Sequence, residues 1–501
     1  MTTPTALEKH FSSFRENIIG NHQYFDSPFG RKEIVYADWT ASGRAYKPME
    51  HYIQNEILPF MANTHTGSTI TGSRMSDSYE EAKTIVRHHV HADKDDVIIF
   101  CGSGMTGAVN KLQRILGLRL PERLLDYSSQ DSLIIDESLR PVVFLSHMEH
   151  HSNQISWLET IATVELLEPG SDGGVDLDSF ICQLEKCKDR KNKILAITAC
   201  SNVTGIQTAY HAMAEIMHKY GGVCFVDFAA SAPYVDIDMH PEWAGAHLDA
   251  IYFSPHKFLG GPGTAGVLIF NKKLYSNSVP DQPGGGTVVY SNPWKLHEYV
   301  QNIEQREDGG TPPILQGIRV GMCIRLKEQM GVENLLKREE ELLKIVFDRL
   351  SKIRNLEILE GHVKKRLGIV SFVVRGAHHN LFVKMLNDRF GVQTRGGCSC
   401  AGTYGHQLLK VNKTTSYEIL RRIRLGDLFC KPGWVRLSVH PTMSNQELEF
   451  ILDAIERTAC HFNEWAADYF YESKSDEFLF KKKKVKVNRE TECWFKASDW
   501  A

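Results

Sequence analysis

The sequence predicts an α/β protein with a large domain on a mostly parallel sheet, followed by a smaller α+β domain. Three observations carry this. Short apolar runs recur between Asp95 and Phe270, each followed by a polar or small-residue turn and in several cases by a helical stretch. After about Val320 the pattern changes to charged amphipathic helix mixed with short strands. The 501 residues are 42% hydrophobic and 24% charged, enough for a large core and more than one lobe.

The elements follow in order. The segment 1–47 holds a helical pattern and then EIVYADWTASG (Glu33–Gly43), a short strand running into a polar turn; it is expected to pack with the small domain. A helical pattern over Ser76–His89 leads into DDVIIFCGSGMTGAVNKL (Asp95–Leu112), which reads as strand, glycine turn and helix start. PVVFLSHMEHHSN, KILAITACSNVTG, GGVCFVDFAASAP and AIYFSPHK are four further strands with polar ends, and Tyr210–Tyr220 is one of the intervening helices. The run Ala265–Phe270 adds another strand. The large domain is placed at 48–322. The smaller domain, 323–470, opens with a charged helix over CIRLKEQMGVENLLKREEELLKIVFDRL, continues through GIVSFVV and WVRLSVH, and closes with a helix at Asn445–Phe462. Residues 471–501 form a C-terminal extension.

Composition excludes several classes of function. A formal charge of −3 gives no general attraction to nucleic acid or anionic membrane. The basic run KKKKVKVNRE in the extension is the one local exception; it reads as a solvated tail, with contact to nucleic acid or an acidic partner as the sharper alternative. The first thirty residues lack the apolar core of a signal peptide, and no apolar run approaches membrane-spanning length. The expected location is cytoplasmic. The 11 cysteines are an odd number, scattered apart from Cys398 and Cys400, and most read as reduced core residues.

Ligands of open parallel sheets bind beyond the carboxyl ends of the strands, so the residues just after each strand should converge. These are Ser103–Thr106 with Met105 between them, His150 and His151, Ser201 and Asn202, Asp227, and Ser254–Lys257 with His256. GSGMTG (Gly102–Gly107) matches G-x-G-x-x-G, but a dinucleotide reading leaves Asp227 and Lys257 without a role. A cofactor with one phosphate, a ring nitrogen and an aldehyde uses all of them. Pyridoxal phosphate is that cofactor: its protein partners are a Schiff-base lysine and an acid facing the pyridinium nitrogen. Lys257 is the candidate lysine and acid–base group, Asp227 the ring acid and His150 the stacking residue.

MEHHSN, SNVTG, VDFAASAP, SPHKFLGGPGTAG, GGGTV, REDGGTPP, RGGCSCAG and VRLSVHP occur in the order and approximate spacing of class V aminotransferases. The chain resembles most the cysteine desulfurases and selenocysteine lyases, over roughly Tyr36–Phe462. The resemblance implies fold type I of the pyridoxal-phosphate transferases, with a seven-stranded-type sheet, and a homodimer with active sites at the subunit boundary. It implies cofactor contacts for Met105, Thr106, His150, Asn202, Asp227, Ser254, His256 and Lys257, and for Thr311, which would reach the phosphate of the other subunit's cofactor. Asn202, Arg395 and Arg436 fall to substrate binding, Arg436 at the carboxylate.

Cys400 matches the sulfur-accepting cysteine, a thiolate that leaves the reaction as a persulfide; Cys398 is open as a resolving partner, as the nucleophile or as neither. The leading expectation is a cysteine desulfurase acting on L-cysteine, with a sulfur-acceptor protein as a possible partner. Two other readings stay open. One is a different class V reaction, transamination or carbon–sulfur elimination on another amino acid; the other is a non-catalytic binding protein using its basic tail. No metal site is expected, because Cys398, Cys400 and His406 fall short of four closed ligands. Three positions depart from the family pattern: Ala230 replaces a glutamine, Thr66 after His65 an arginine, and Gly107 a frequent glutamate.

Overall fold

Apolar runs bounded by polar turns are buried on both faces only if helices cover the sheet, and the chain folds that way. The computed structural model describes residues 4–64, 66–124, 136–481, 494–496 and 498. His65 and the basic run after Lys481 lie outside the described residues.

The central sheet comprises β1 (Asp96–Cys101), β2 (Val142–Leu145), β3 (Thr163–Leu166), β4 (Lys193–Thr198), β5 (Val223–Asp227), β6 (Ala250–Phe253) and β7 (Gly266–Asn271), in the order β1-β7-β6-β5-β4-β2-β3. Six of the seven are the apolar runs read from the sequence. The seventh, β3, is half-exposed at the sheet edge, so its four residues carry no apolar run to be recognised. β7 alone runs antiparallel to both neighbours, while the remaining pairs are parallel. The short link from β6 to β7 holds no crossover helix, and a parallel return requires one.

Helices α1 (Ile70–His89), α2 (Gly104–Ile115), α3 (His151–Leu158) and α4 (Tyr210–Lys219) pack around this sheet. Trp157 on α3 is fully buried and donates to Asn153 Oδ1 at 3.2 Å, the partner that a buried indole N–H requires. Burial of side chains such as Ile251, Phe253, Leu268 and Phe144 contributes about 1.5–3 kcal/mol each.

The charged stretch expected as one helix is two. α5 (Ile314–Met330) ends at Gly331, whose φ of +79° interrupts the helix before α6 (Val332–Leu350). Glycine adopts that conformation without the Cβ penalty. The expected boundary between 322 and 323 falls inside α5. Beyond it, β8 (Leu356–Ile358), β9 (Ile369–Val374), β10 (Arg395–Gly397) and β11 (Trp434–Ser438) form an antiparallel sheet in the order β8-β9-β11-β10. α7 (Gly402–Leu408) follows β10, and α8 (Asn445–Ala466) runs four residues past its expected end.

The N-terminal segment joins this second sheet. Val35–Tyr36 pairs in parallel with Val392–Gln393, and Asp38 bridges to Ser438. Four of the ten described cysteines are buried (Cys101, Cys200, Cys224 and Cys323), fewer than composition led us to expect. No helix among the described residues is long and apolar enough to cross a membrane.

Candidate active site

The polar residues that follow β1, β2, β4, β5 and β6 line one cavity of about 250 Å³, completed by Thr40 and Ala41 from the N-terminal segment and by Arg395, Ser399, Cys400 and Arg436. Parallel strands place their carboxyl ends side by side, so residues far apart in sequence meet there.

Lys257 closes a single 3-10 turn, Pro255–Lys257, directly after β6. The chain then folds back so tightly that a Cβ on Gly261 would meet the Pro255 carbonyl at 2.1 Å. Burial holds the Lys257 amine down at about 8, with Asp227 opposing that effect. Asp227, at the end of β5, is itself raised by burial to about 6, against the pull of the Ala229 N–H and Lys257. Its Oδ1 accepts from that N–H at 2.8 Å. By these values both groups are charged between pH 6 and 8, an acid and an amine facing one cavity.

The glycine turn after β1 supplies the second wall. Ser103 is left-handed at φ +52° and begins α2. The Met105 N–H donates to Ser254 Oγ at 2.7 Å, and a Cβ on the neighbouring Gly104 would meet the same oxygen at 2.8 Å. Ser254, Met105 and Thr106 thus sit at a helix N-terminus, whose dipole favours an anion. Thr106 Oγ1 lies 2.6 Å from Ser152 Oγ.

His150 caps α3: its Nδ1 accepts from the Ser152 N–H at 3.1 Å, so Nε2 carries the ring proton. Burial, with Lys257 adding, lowers it to about 3. His256 is lowered to about 4 by burial, and again Lys257 adds. Both imidazoles are therefore neutral at physiological pH. Asn202 donates from Nδ2 to the Ser399 carbonyl at 2.8 Å, while its buried Oδ1 has no partner among the described residues.

Arg436 and Arg395 face each other across β11 and β10. Such a pair repels unless a counter-charge intervenes, and Asp38 supplies it. Its Oδ1 accepts from Arg436 Nη2 at 2.7 Å and its Oδ2 from Arg395 Nε at 2.9 Å. Arg436 Nη1 donates to the Asn202 carbonyl at 3.1 Å, and its buried Nε has no partner among the described residues. Asp38→Ala is expected to destabilise the protein by about 3 kcal/mol, because Arg436 is buried and would lose its only carboxylate among the described residues. A urea unfolding midpoint checks this, and an unchanged midpoint contradicts it.

Cys400 is exposed, and it follows Ser399 in a pair of left-handed residues at φ +50° and +57°. Two such non-glycine residues in succession cost about 1–3 kcal/mol each, so the surroundings must hold them. Cys398 is half-buried and does not line the cavity. His406 has both ring nitrogens engaged, with the Gly402 carbonyl and with Ser416 Oγ, each at 2.8 Å.

The cavity gathers Met105, Thr106, His150, Asn202, Asp227, Ser254, His256, Lys257, Arg395, Cys400 and Arg436. It does not gather Thr311, which is exposed on a second cavity of about 660 Å³ sharing Ser103 with the first. Ala230 lines the first cavity. Gly107 permits only glycine in this backbone, since a Cβ would meet the Gly102 carbonyl at 2.0 Å.

Sequence reasoning missed Asp38, visible there only as a polar residue after a short strand. It also missed buried Glu149, which burial pushes up to about 7. Glu149 accepts from Asn153 Nδ2 at 2.7 Å and the Thr198 N–H at 2.9 Å, beneath the site.

Comparison with known proteins agrees with this geometry. A probable cysteine desulfurase of Halalkalibacterium halodurans is 29% identical over 384 residues, covering 75% of this chain and 86% of the relative. One from Staphylococcus aureus is 27% identical over 389 residues, with coverage of 77% and 87%. Among solved structures, the apo cysteine desulfurase of Thermococcus onnurineus superposes with a TM-score of 0.70 at 23% identity, covering 89% of this chain and 98% of that one. The cysteine desulfurase CsdA of Escherichia coli gives 0.68 at 21%, with coverage of 90% and 98%. The fold is theirs. The model of the family described as Aminotransferase class-V matches residues 35–451, a span that includes both sheets and every residue of the cavity, and the chain therefore belongs to that family.

Proposed function

We propose that the protein is a pyridoxal-phosphate-dependent cysteine desulfurase that converts L-cysteine to L-alanine and leaves the sulfur on Cys400 as a persulfide. The observation that carries this is the placement of exposed Cys400 in the same cavity as Lys257, Asp227 and the paired arginines. The names of the relatives point the same way.

The residues fit the cofactor. The cradle at Gly104 and Ser254 suits a phosphate, the acid at Asp227 suits a ring nitrogen, and the acceptor Asn202 Oδ1 has no partner among the described residues. When bound, pyridoxal phosphate supplies an aldehyde that condenses with amines and a ring that draws electrons.

Arg436 and Arg395 bind the substrate carboxylate, with Asp38 holding both guanidinium groups toward it. Lys257 moves protons at the substrate carbons, and its lowered amine pKa suits that work near neutral pH. His150, neutral and with its ring proton on Nε2, would help hold the cofactor ring. Cys400 Sγ accepts the sulfur: the substrate carbon–sulfur bond breaks, a sulfur–sulfur bond forms, and the thiol proton ends on the alanine side. L-cysteine plus thiol becomes L-alanine plus persulfide, with no further oxidant or reductant.

The enzyme acts as a homodimer in the cytoplasm, Thr311 serves the partner's site, and the persulfide passes to an acceptor protein. The large apolar side chains of Tyr52, Leu58 and Ile70, each exposed in the single chain, support the dimer. Our division is an N-terminal segment, a large domain to 322, a small domain to 470 and an extension. Purified holoenzyme supplied with L-cysteine should release alanine and, with a thiol reductant, sulfide in equal amounts. Pyruvate in place of alanine would replace this reading with carbon–sulfur elimination.

A further inference from the structure

The backbone that carries Cys400 is held from outside at each of three successive peptide units. The carbonyl of Ser399 accepts from Asn202 Nδ2 at 2.8 Å. The carbonyl of Cys400 accepts from the His151 N–H at 2.7 Å. The N–H of Gly402 donates to His151 Nε2 at 2.9 Å. The peptide planes on either side of the Cys400 Cα are thereby pinned, and those planes set its φ and ψ. Next along the loop, Thr403 Oγ1 exchanges hydrogen bonds with the side-chain amide of Gln154 at 2.7 and 2.9 Å.

His151 and Gln154 are three residues apart on α3 and so share one face of that helix. The residue before them is His150, whose ring lines the cavity. The N-terminus of α3 thus carries the imidazole beside Lys257 and grips the cysteine loop with the next residue.

We propose that His151 is a positioning residue for the Cys400 thiol. Its ring accepts the first free N–H of α7 and its backbone fixes the preceding carbonyl, so the left-handed turn at Ser399 and Cys400 aims Sγ into the cavity. A hydrogen bond from Gly402 N requires an unprotonated Nε2, and burial lowers the ring from its ordinary value. A Cβ on Gly402 would lie 3.0 Å from that nitrogen, so the loop approaches the ring as closely as glycine allows. This inference rests on the reading of Cys400 as the sulfur acceptor.

The test uses holoenzyme of the wild type, His151→Leu and His151→Gln. Leucine removes the ring acceptor; glutamine presents Oε1 in its place. Two measurements are made. One is single-turnover persulfide formation on Cys400 after mixing with L-cysteine, followed alongside the cofactor absorbance change. The other is the iodoacetamide alkylation rate at Cys400 by peptide mass spectrometry, with exposed Cys182 and Cys460 as internal references.

His151→Leu is expected to slow persulfide formation about 10-fold or more, because a small displacement of a reacting atom is costly. The absorbance change and KM should be unaltered. Alkylation of Cys400 should change relative to Cys182 and Cys460, and His151→Gln should restore both rates to within about 3-fold. Wild-type rates in the leucine variant, or a loss that glutamine does not restore, would overturn the positioning role. A wild type that forms no persulfide on Cys400 sinks the desulfurase reading instead, and the alkylation ratio still decides whether His151 holds the loop.

Discussion

Lys257→Ala is expected to lower sulfide release from L-cysteine by at least about 10⁴-fold, because on the proposed reading one side chain would supply both covalent capture of the cofactor and proton transfer. The variant should also lose the yellow, borohydride-reducible absorbance of the holoenzyme. Folding should survive. The Lys257 amine is held at about 8 by burial, so the folded state disfavours its protonated form, and removing it takes away that penalty. The sign runs as linkage requires: a depressed amine destabilises the fold below about pH 8, and the penalty fades as pH rises from there to the unfolded amine's value. The apo form of the variant should therefore melt no lower than apo wild type at pH 7. The same value sets the pH dependence of reconstitution in the wild type. An amine condenses with an aldehyde only as free base, so on the proposed role of Lys257 the rate of yellow colour formation should climb about tenfold per pH unit below 8 and level off above it. A variant that keeps activity within tenfold of wild type would remove Lys257 from the chemistry.

Cys400→Ala should stop sulfide release, by at least about 10³-fold, while leaving the cofactor's absorbance response to L-cysteine intact. Cys400 is exposed and alanine keeps its Cβ, so stability should change by less than about 0.5 kcal/mol. Cys398→Ala should retain activity within about threefold, because Cys398 does not line the cavity. Quantifying sulfide and mass-mapping the persulfide on both variants checks the pair. The reverse pattern would make Cys398 the acceptor. Full activity in both, with pyruvate as product, would give the protein an elimination reaction in which neither thiol takes part.

Much of the site was legible because β strands of the central sheet are short, apolar and followed by chemistry. Asp227 ends such a strand, Lys257, His150 and Asn202 lie within five residues after one, and parallel neighbours align those ends. Asp38 was not legible in the same way. It lies 398 positions from Arg436, and the strand before it, Val35–Tyr36, is only two residues long. Nothing local records that its carboxylate joins two arginines of another sheet. The split at Gly331 was missed because the apolar pattern continues across it, although a lone glycine inside a helical run is a recognised stop signal. Edge strand β3 was missed because a half-exposed strand needs no apolar run.

The amino-acid order by itself determined the α/β class, six of the seven central strands and the types of group available for chemistry, since burial and turn formation act on neighbouring residues. Only the tertiary structure decided that Asp38 bridges the arginine pair, that His151 grips the Cys400 loop, and that Thr311 stands on a separate cavity. Those outcomes depend on contacts between distant segments, and such contacts come into being only when the two sheets and the N-terminal segment pack together.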